Sequence, residues 1–201
     1  LMRGGHHEVA RAYVLYRERR AQERASKQQS EPAVTTALHV TDGDTRTVLD
    51  VARLKGLMEA ACEGLNADIQ AEPILAETLR NLYDGIPMDE VYKAAILASR
   101  TLIEKDPDYT YVTARLLMHT IAKEVLGADV THAEMGMHYA DAFPRFIKVG
   151  VDNELLDERL LQFDLTRLAA ALKPDRDLQF DYLGLQTLYD RYFLHVRKKR
   201  I

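Results

Sequence analysis

The chain has 201 residues, 47% hydrophobic and 29% charged, the composition of a soluble globular protein with one domain or two small ones. Its formal net charge of −4 argues against general binding to nucleic acid or acidic membranes, and no apolar run approaches the roughly 20 residues that span a bilayer. Cys62 is the only cysteine, which excludes an intrachain disulfide; with no signal peptide in view, the expected compartment is the cytoplasm.

Both ends read as cut. Leu1-Met2-Arg3-Gly4-Gly5 has the look of a helix end with its glycine stop, and Val196 to Ile201 runs toward a further strand. A first helix is expected from His6 to Arg24, with Val9, Ala12, Tyr13 and Tyr16 on one face. The polar segment Ala25 to Pro32 reads as a linker.

A short hairpin follows. Val34 to Thr41 is rich in β-branched residues, Asp42-Gly43 is a strong turn dipeptide, and Thr45 to Leu49 resumes an extended pattern. Asp50 is placed to cap a helix with Leu54, Leu57, Met58 and Ala61 on its apolar face, stopped by Gly64. A second helix covers about Pro73 to Leu82, and Tyr83-Asp84-Gly85-Ile86-Pro87 breaks it. A third carries Val91, Ala95, Ala98 and Leu102, with Asp89 and Glu90 near its positive N-terminal end.

The fourth helix opens with Asp106-Pro107-Asp108-Tyr109-Thr110-Tyr111-Val112-Thr113-Ala114-Arg115-Leu116-Leu117 and ends near Gly127. Pro107 disfavours helix at Asp106, Asp108 is expected to cap, and Ala114, Leu117, Met118, Ile121 and Val125 form the apolar face. Two tyrosines and an arginine in its first two turns are more polar-tipped matter than a plain core helix needs.

Beyond Gly127 a helix is expected from Thr131 to Gly150, interrupted or bent around Pro144, with Met135, Tyr139, Phe143 and Phe146 as core. Leu155, Leu156, Leu160, Leu161 and Leu165 suggest two short leucine-rich helices. Lys173 to Asp177 is a turn, in which Arg176 is expected to bridge to a neighbouring carboxylate. Asp181 to Tyr189 is a helix and Tyr192 to Val196 a strand. The expected fold is mainly α: a small β-hairpin cap on a four-helix bundle, followed by an all-helical region.

The common catalytic signatures are absent: there is no GxGxxG, Walker A loop, paired-cysteine metal site or HExxH. His6-His7 reads as solvated, and His132 and His138, six residues apart, do not share a close helical face. Cys62 sits beside the apolar face of its helix and reads as a structural thiol. No carboxylates form an acid–base pair, so no catalytic residue and no metal ligand is expected here. Nucleotide binding is the more serious possibility, because a hairpin over helix ends offers backbone N–H groups to phosphates. Arg53, Lys55, Lys93 and Lys123 are the candidate cations, each of which also suits a plain surface charge.

The order hairpin, helix, Tyr83-Asp84-Gly85-Ile86, helix, then Asp106 to Leu117 resembles the N-terminal region of the large (alpha) subunit of aerobic class I ribonucleotide reductase. Phe163-Asp164 and Asp175 to Tyr192 are similar to that family's all-helical domain, and Leu1 to Arg20 to the closing segment of an ATP-cone, its regulatory nucleotide module. A half-repeat agrees with this: aligning Ala12 with Ala114 puts Val14 on Leu116 and Tyr16 on Met118.

The resemblance implies the tail of a first cone over residues 1–25, a linker over 26–33, a second cone over 34–127 and the helical domain over 128–201, before the catalytic barrel. It implies a parent enzyme that reduces ribonucleoside diphosphates by thiyl-radical chemistry, with the radical supplied by a separate metal-containing small (beta) subunit. ATP and dATP would be its allosteric effectors, acting through self-association of the large subunit. Cys62 matches none of the family's reactive cysteines.

The family also implies nucleotide contacts at Arg53 and Lys123. Its Lys-Arg-(Asp/Asn)-Gly turn is here Val40-Thr41-Asp42-Gly43, and its common threonine before the third helix is Met88. Losing two charge-assisted phosphate contacts at about 1.5–3 kcal/mol each would cost roughly 3–6 kcal/mol, so weak or no ATP binding is expected. The alternative, a stand-alone nucleotide-sensing regulatory protein such as a cone-bearing repressor, calls for a zinc ribbon or other DNA-reading element and a basic balance, and the chain has one cysteine and a net charge of −4.

Overall fold

A computed structural model describes residues 37–43, 45–127, 134–197 and 199–201. The expected first helix and linker, with His6, His7 and His132, lie outside these residues.

The hairpin forms at the expected Asp42-Gly43 turn, its first strand running from His39, with residues 34–36 of the expected strand outside the described residues, and the structure adds a strand to it. β1 (His39–Asp42) pairs antiparallel with β2 (Thr45–Val48), with Val40 opposite Thr47 and Asp42 opposite Thr45. β3 (Ile86–Pro87) joins the free edge of β1 in parallel, with Val40 opposite Ile86. The segment read only as a helix break is thus a sheet strand. Gly85 permits this, because at φ 84° it turns the chain so that its N–H meets the His39 carbonyl at 2.8 Å.

α1 (Val51–Cys62) starts at Asp50, whose carboxylate accepts the Arg53 N–H as anticipated, and it buries Leu54, Met58 and Ala61. α2 spans Glu72–Arg80. α3 (Met88–Leu102) buries Val91, Ala95, Ala98 and Leu102, the expected face. α4 (Tyr109–Leu126) ends at Gly127, whose left-handed φ of 72° lets its N–H close back on the Lys123 carbonyl.

Two details of α4 differ from expectation. Asp108 makes no side-chain cap; two residues earlier, Asp106 instead closes the turn before the helix, its carboxylate accepting the Asp108 N–H at 2.9 Å. The buried face is also wider than one stripe. Val112, Thr113 and Leu116 are buried beside Ala114 and Leu117, while Met118, Ile121 and Val125 are only half-buried. The cause is tertiary: α4 packs on α1, α3 and a later helix, α7 (Tyr182–Arg191). Leu185 of α7, 2% exposed, joins the same core as Leu54, Ile74, Val91 and Val112.

α5 (Met135–Asp152) runs unbroken through Pro144, so the expected interruption does not occur. Met135 is buried, whereas Tyr139, Phe143 and Phe146 are half-buried. The leucine-rich stretch gives a 3-10 turn at Glu158–Gln162 and a short α6 (Leu165–Ala170), with Leu155 and Leu161 exposed. The Lys173 to Asp177 turn is another 3-10 segment, Pro174–Gln179, where Asp177 accepts a hydrogen bond from the Tyr139 hydroxyl. Burial and that bond hold the Tyr139 phenol well above its ordinary range. The strand expected from Tyr192 is only β4 (His195–Val196), paired with β5 (Lys199–Arg200); Tyr192 itself is exposed. Residues Leu38–Ile201 form one compact unit.

Candidate functional site

The Asp106 to Leu117 run explains its own polar groups. Tyr109 is 5% exposed, and its hydroxyl accepts the Gln70 N–H at 3.1 Å and donates to the Gln70 carbonyl at 3.2 Å. Thr113 donates to the Tyr109 carbonyl and pairs with Ser99 on α3 at 2.9 Å, with both side chains fully buried. One Arg115 nitrogen donates to the Ala61 and Glu63 carbonyls, at 2.9 and 2.7 Å, and so caps the C-terminal end of α1. Thr110 accepts the Tyr182 N–H at 3.1 Å, which ties α7 to the start of α4. Tyr109, Thr113 and Arg115 thus each bond to main-chain groups in and around α4.

A second cluster lies where the hairpin, the start of α3 and the end of α4 meet. Lys123, in the last turn of α4, lies 3.6 Å from Asp89 in the first turn of α3 and 4.0 Å from Asp42 at the end of β1. Its ammonium also stands 5.0 Å over the Tyr92 ring, a cation–π contact, and Tyr92 meets the His119 ring edge-on at 5.1 Å. The candidate cation Lys123 thus stands at the hairpin tip. Arg53 has another setting, exposed in the first turn of α1. Lys55 bridges Glu59 and Glu72, at 3.2 and 3.1 Å, and Lys93 pairs with Glu90 at 2.8 Å.

Asp84 is the site residue that sequence reasoning missed. It accepts the His39 N–H at 2.8 Å, meets His39 Nδ1 at 3.0 Å, and pairs with the Arg46 guanidinium. These contacts, the His39 backbone bond foremost, hold its carboxyl below the usual range. Asp84 thereby clamps both strands of the hairpin to the turn before β3. The signal available was the Asp-Gly pair ahead of Ile86, which reads as an ordinary turn.

Cys62 lines a shallow groove with Glu59, Glu63, Ile69, Gln70 and Glu72. Burial pushes its thiol up to about 11, against a smaller opposing pull from Arg115, so the group is a protonated thiol at neutral pH. Among the described residues, no three or more His, Cys, Asp or Glu side chains are grouped to hold a metal ion, and no helix is long and apolar enough to cross a membrane.

No protein-family profile matches the chain. It is 38% identical, over 97% of its length, to the ribonucleoside-diphosphate reductase subunit alpha of Chlamydia trachomatis, of which it covers 19%. It is 35% identical, over its full length, to the subunit of the same name from Chlamydia muridarum, covering 20% of it. It is 25% identical, over 78% of its length, to ribonucleoside-diphosphate reductase 1 subunit alpha of Escherichia coli. The chain thus spans about a fifth of the curated relatives it matches, and along its length it is similar in sequence to a portion of the ribonucleoside-diphosphate reductase alpha subunit.

Proposed function

We propose that this chain is the N-terminal regulatory and structural part of a class I ribonucleoside-diphosphate reductase alpha subunit, with the radical and the reactive cysteines supplied from elsewhere in the holoenzyme. The observation that carries the reading is the 38% identity over 97% of the chain. The hairpin seated on helices, with Lys123 at its tip, agrees with an ATP-cone over residues 34–127, and residues 128–201 then lead from it as the helical domain. The parent reduces ribonucleoside diphosphates in the cytoplasm, pairs with a metal-containing small subunit, self-associates, and responds to ATP and dATP.

Within that parent, this cone is degenerate. Its turn lacks the paired cations, and of the family's two remaining contact positions, Lys123 is engaged by Asp42 and Asp89 while Arg53 stands in the first turn of α1. The module then serves as a spacer and packing surface. Titration calorimetry of the chain with ATP and dATP should show no saturable heat at micromolar ligand; micromolar binding sinks the degenerate reading. Separately, the full-length protein mixed with its small subunit should reduce a ribonucleoside diphosphate, and failure there removes the enzymatic assignment.

A further inference from the structure

We infer that Asp42 and Asp89 are specificity determinants that turn the Lys123 corner against anions. This inference rests on the degenerate-cone reading and gives it a cause beyond the missing turn cations.

Three features of this corner would ordinarily draw a phosphate: a lysine ammonium, the N-terminal end of a 15-residue helix, and a hairpin turn. Acidic groups of the chain already stand at each. Asp89 and Glu90 occupy the first turn of α3, where the helix dipole favours negative charge. Asp42 stands at the hairpin tip, and Asp42 and Asp89 lie 4.0 and 3.6 Å from the ammonium. Glu90 is matched by Lys93 at 2.8 Å, and among the described residues Lys123 at the corner faces the two carboxylates of Asp42 and Asp89.

Exposure decides which charge an incoming ligand meets. The Lys123 side chain is 22% exposed, whereas Asp42 and Asp89 are 71% and 77% exposed. A phosphate therefore approaches the carboxylates first and reaches the ammonium only after displacing them. The Tyr92 ring under the ammonium adds a neutral partner and lessens the need for an external anion.

The test uses the 201-residue chain, with ATP and inorganic tripolyphosphate as probes and circular dichroism to establish folding of each variant. Two like-charge contacts at about 4 Å are together worth roughly tenfold in affinity at surface screening. Asp42→Asn/Asp89→Asn should therefore bind tripolyphosphate at least tenfold more tightly than the unaltered chain, with the gain fading at high salt. Adding Lys123→Met to that pair should abolish the gain. A double variant that binds no better than the unaltered chain overturns the inference, as does a gain that survives loss of Lys123. Micromolar ATP binding by the unaltered chain would instead overturn the degenerate reading beneath it.

Discussion

The hydroxyl of Tyr109 and the main chain of Gln70 exchange two hydrogen bonds, at 3.1 and 3.2 Å, so the first turn of α4 holds the loop that leads into α2. Tyr109→Phe keeps the ring in its buried place and leaves the Gln70 N–H and carbonyl without that partner. The expected cost is about 1–2 kcal/mol. A urea unfolding midpoint shifted down at unchanged slope checks it.

Arg115 caps a helix it does not belong to. Arg115→Ala frees the Ala61 and Glu63 carbonyls at the end of α1 and removes half-buried packing, at an expected cost of about 2 kcal/mol. Arg115→Lys retains the charge but not the forked reach, and should recover only part of the loss. Thermal unfolding of the two variants side by side reads the difference.

Asp84 sets an acid dependence. Its carboxyl is held below the ordinary value of 3.8, so its contribution is fully present above that value and is lost as pH falls through the lowered one. The gap in melting temperature between the unaltered chain and Asp84→Asn should be constant near neutrality and close below about pH 4. A gap that persists unchanged to pH 2 would contradict this assignment.

Cys62 should resist alkylation. A thiol raised from 9.0 to about 11 carries roughly a hundredfold less thiolate at neutral pH, so iodoacetamide should modify the native chain far more slowly than the urea-unfolded one. Mass spectrometry over a time course measures both rates, and equal rates would refute the buried-thiol reading.

The local signals translated directly into structure. The Asp50 cap, the faces of α1 and α3, the Asp42-Gly43 hairpin and the glycine stop at 127 all formed where the sequence placed them. Caps, turns and helical periodicity act within a few residues, so their physics is legible without a partner. The family resemblance was legible for the same reason, since it rests on short runs of residues and their order along the chain.

Contacts between distant segments were not legible. β3 exists because Ile86 finds the free edge of β1, some 46 positions back in the chain, and a two-residue strand has no pattern of its own. The expected interruption at Pro144 is absent, and the leucines at 155 and 161 are exposed despite their richness in a short stretch. Lys123 stood out among the candidate cations by its place near the end of the last cone helix, but only packing showed that it meets Asp42 and Asp89. The sequence by itself determined the β1–β2 hairpin, the helices α1 to α4 and their order. The tertiary structure decided which face of α4 is core and which charges meet, because burial and Coulombic contact depend on separations in space that no local pattern encodes.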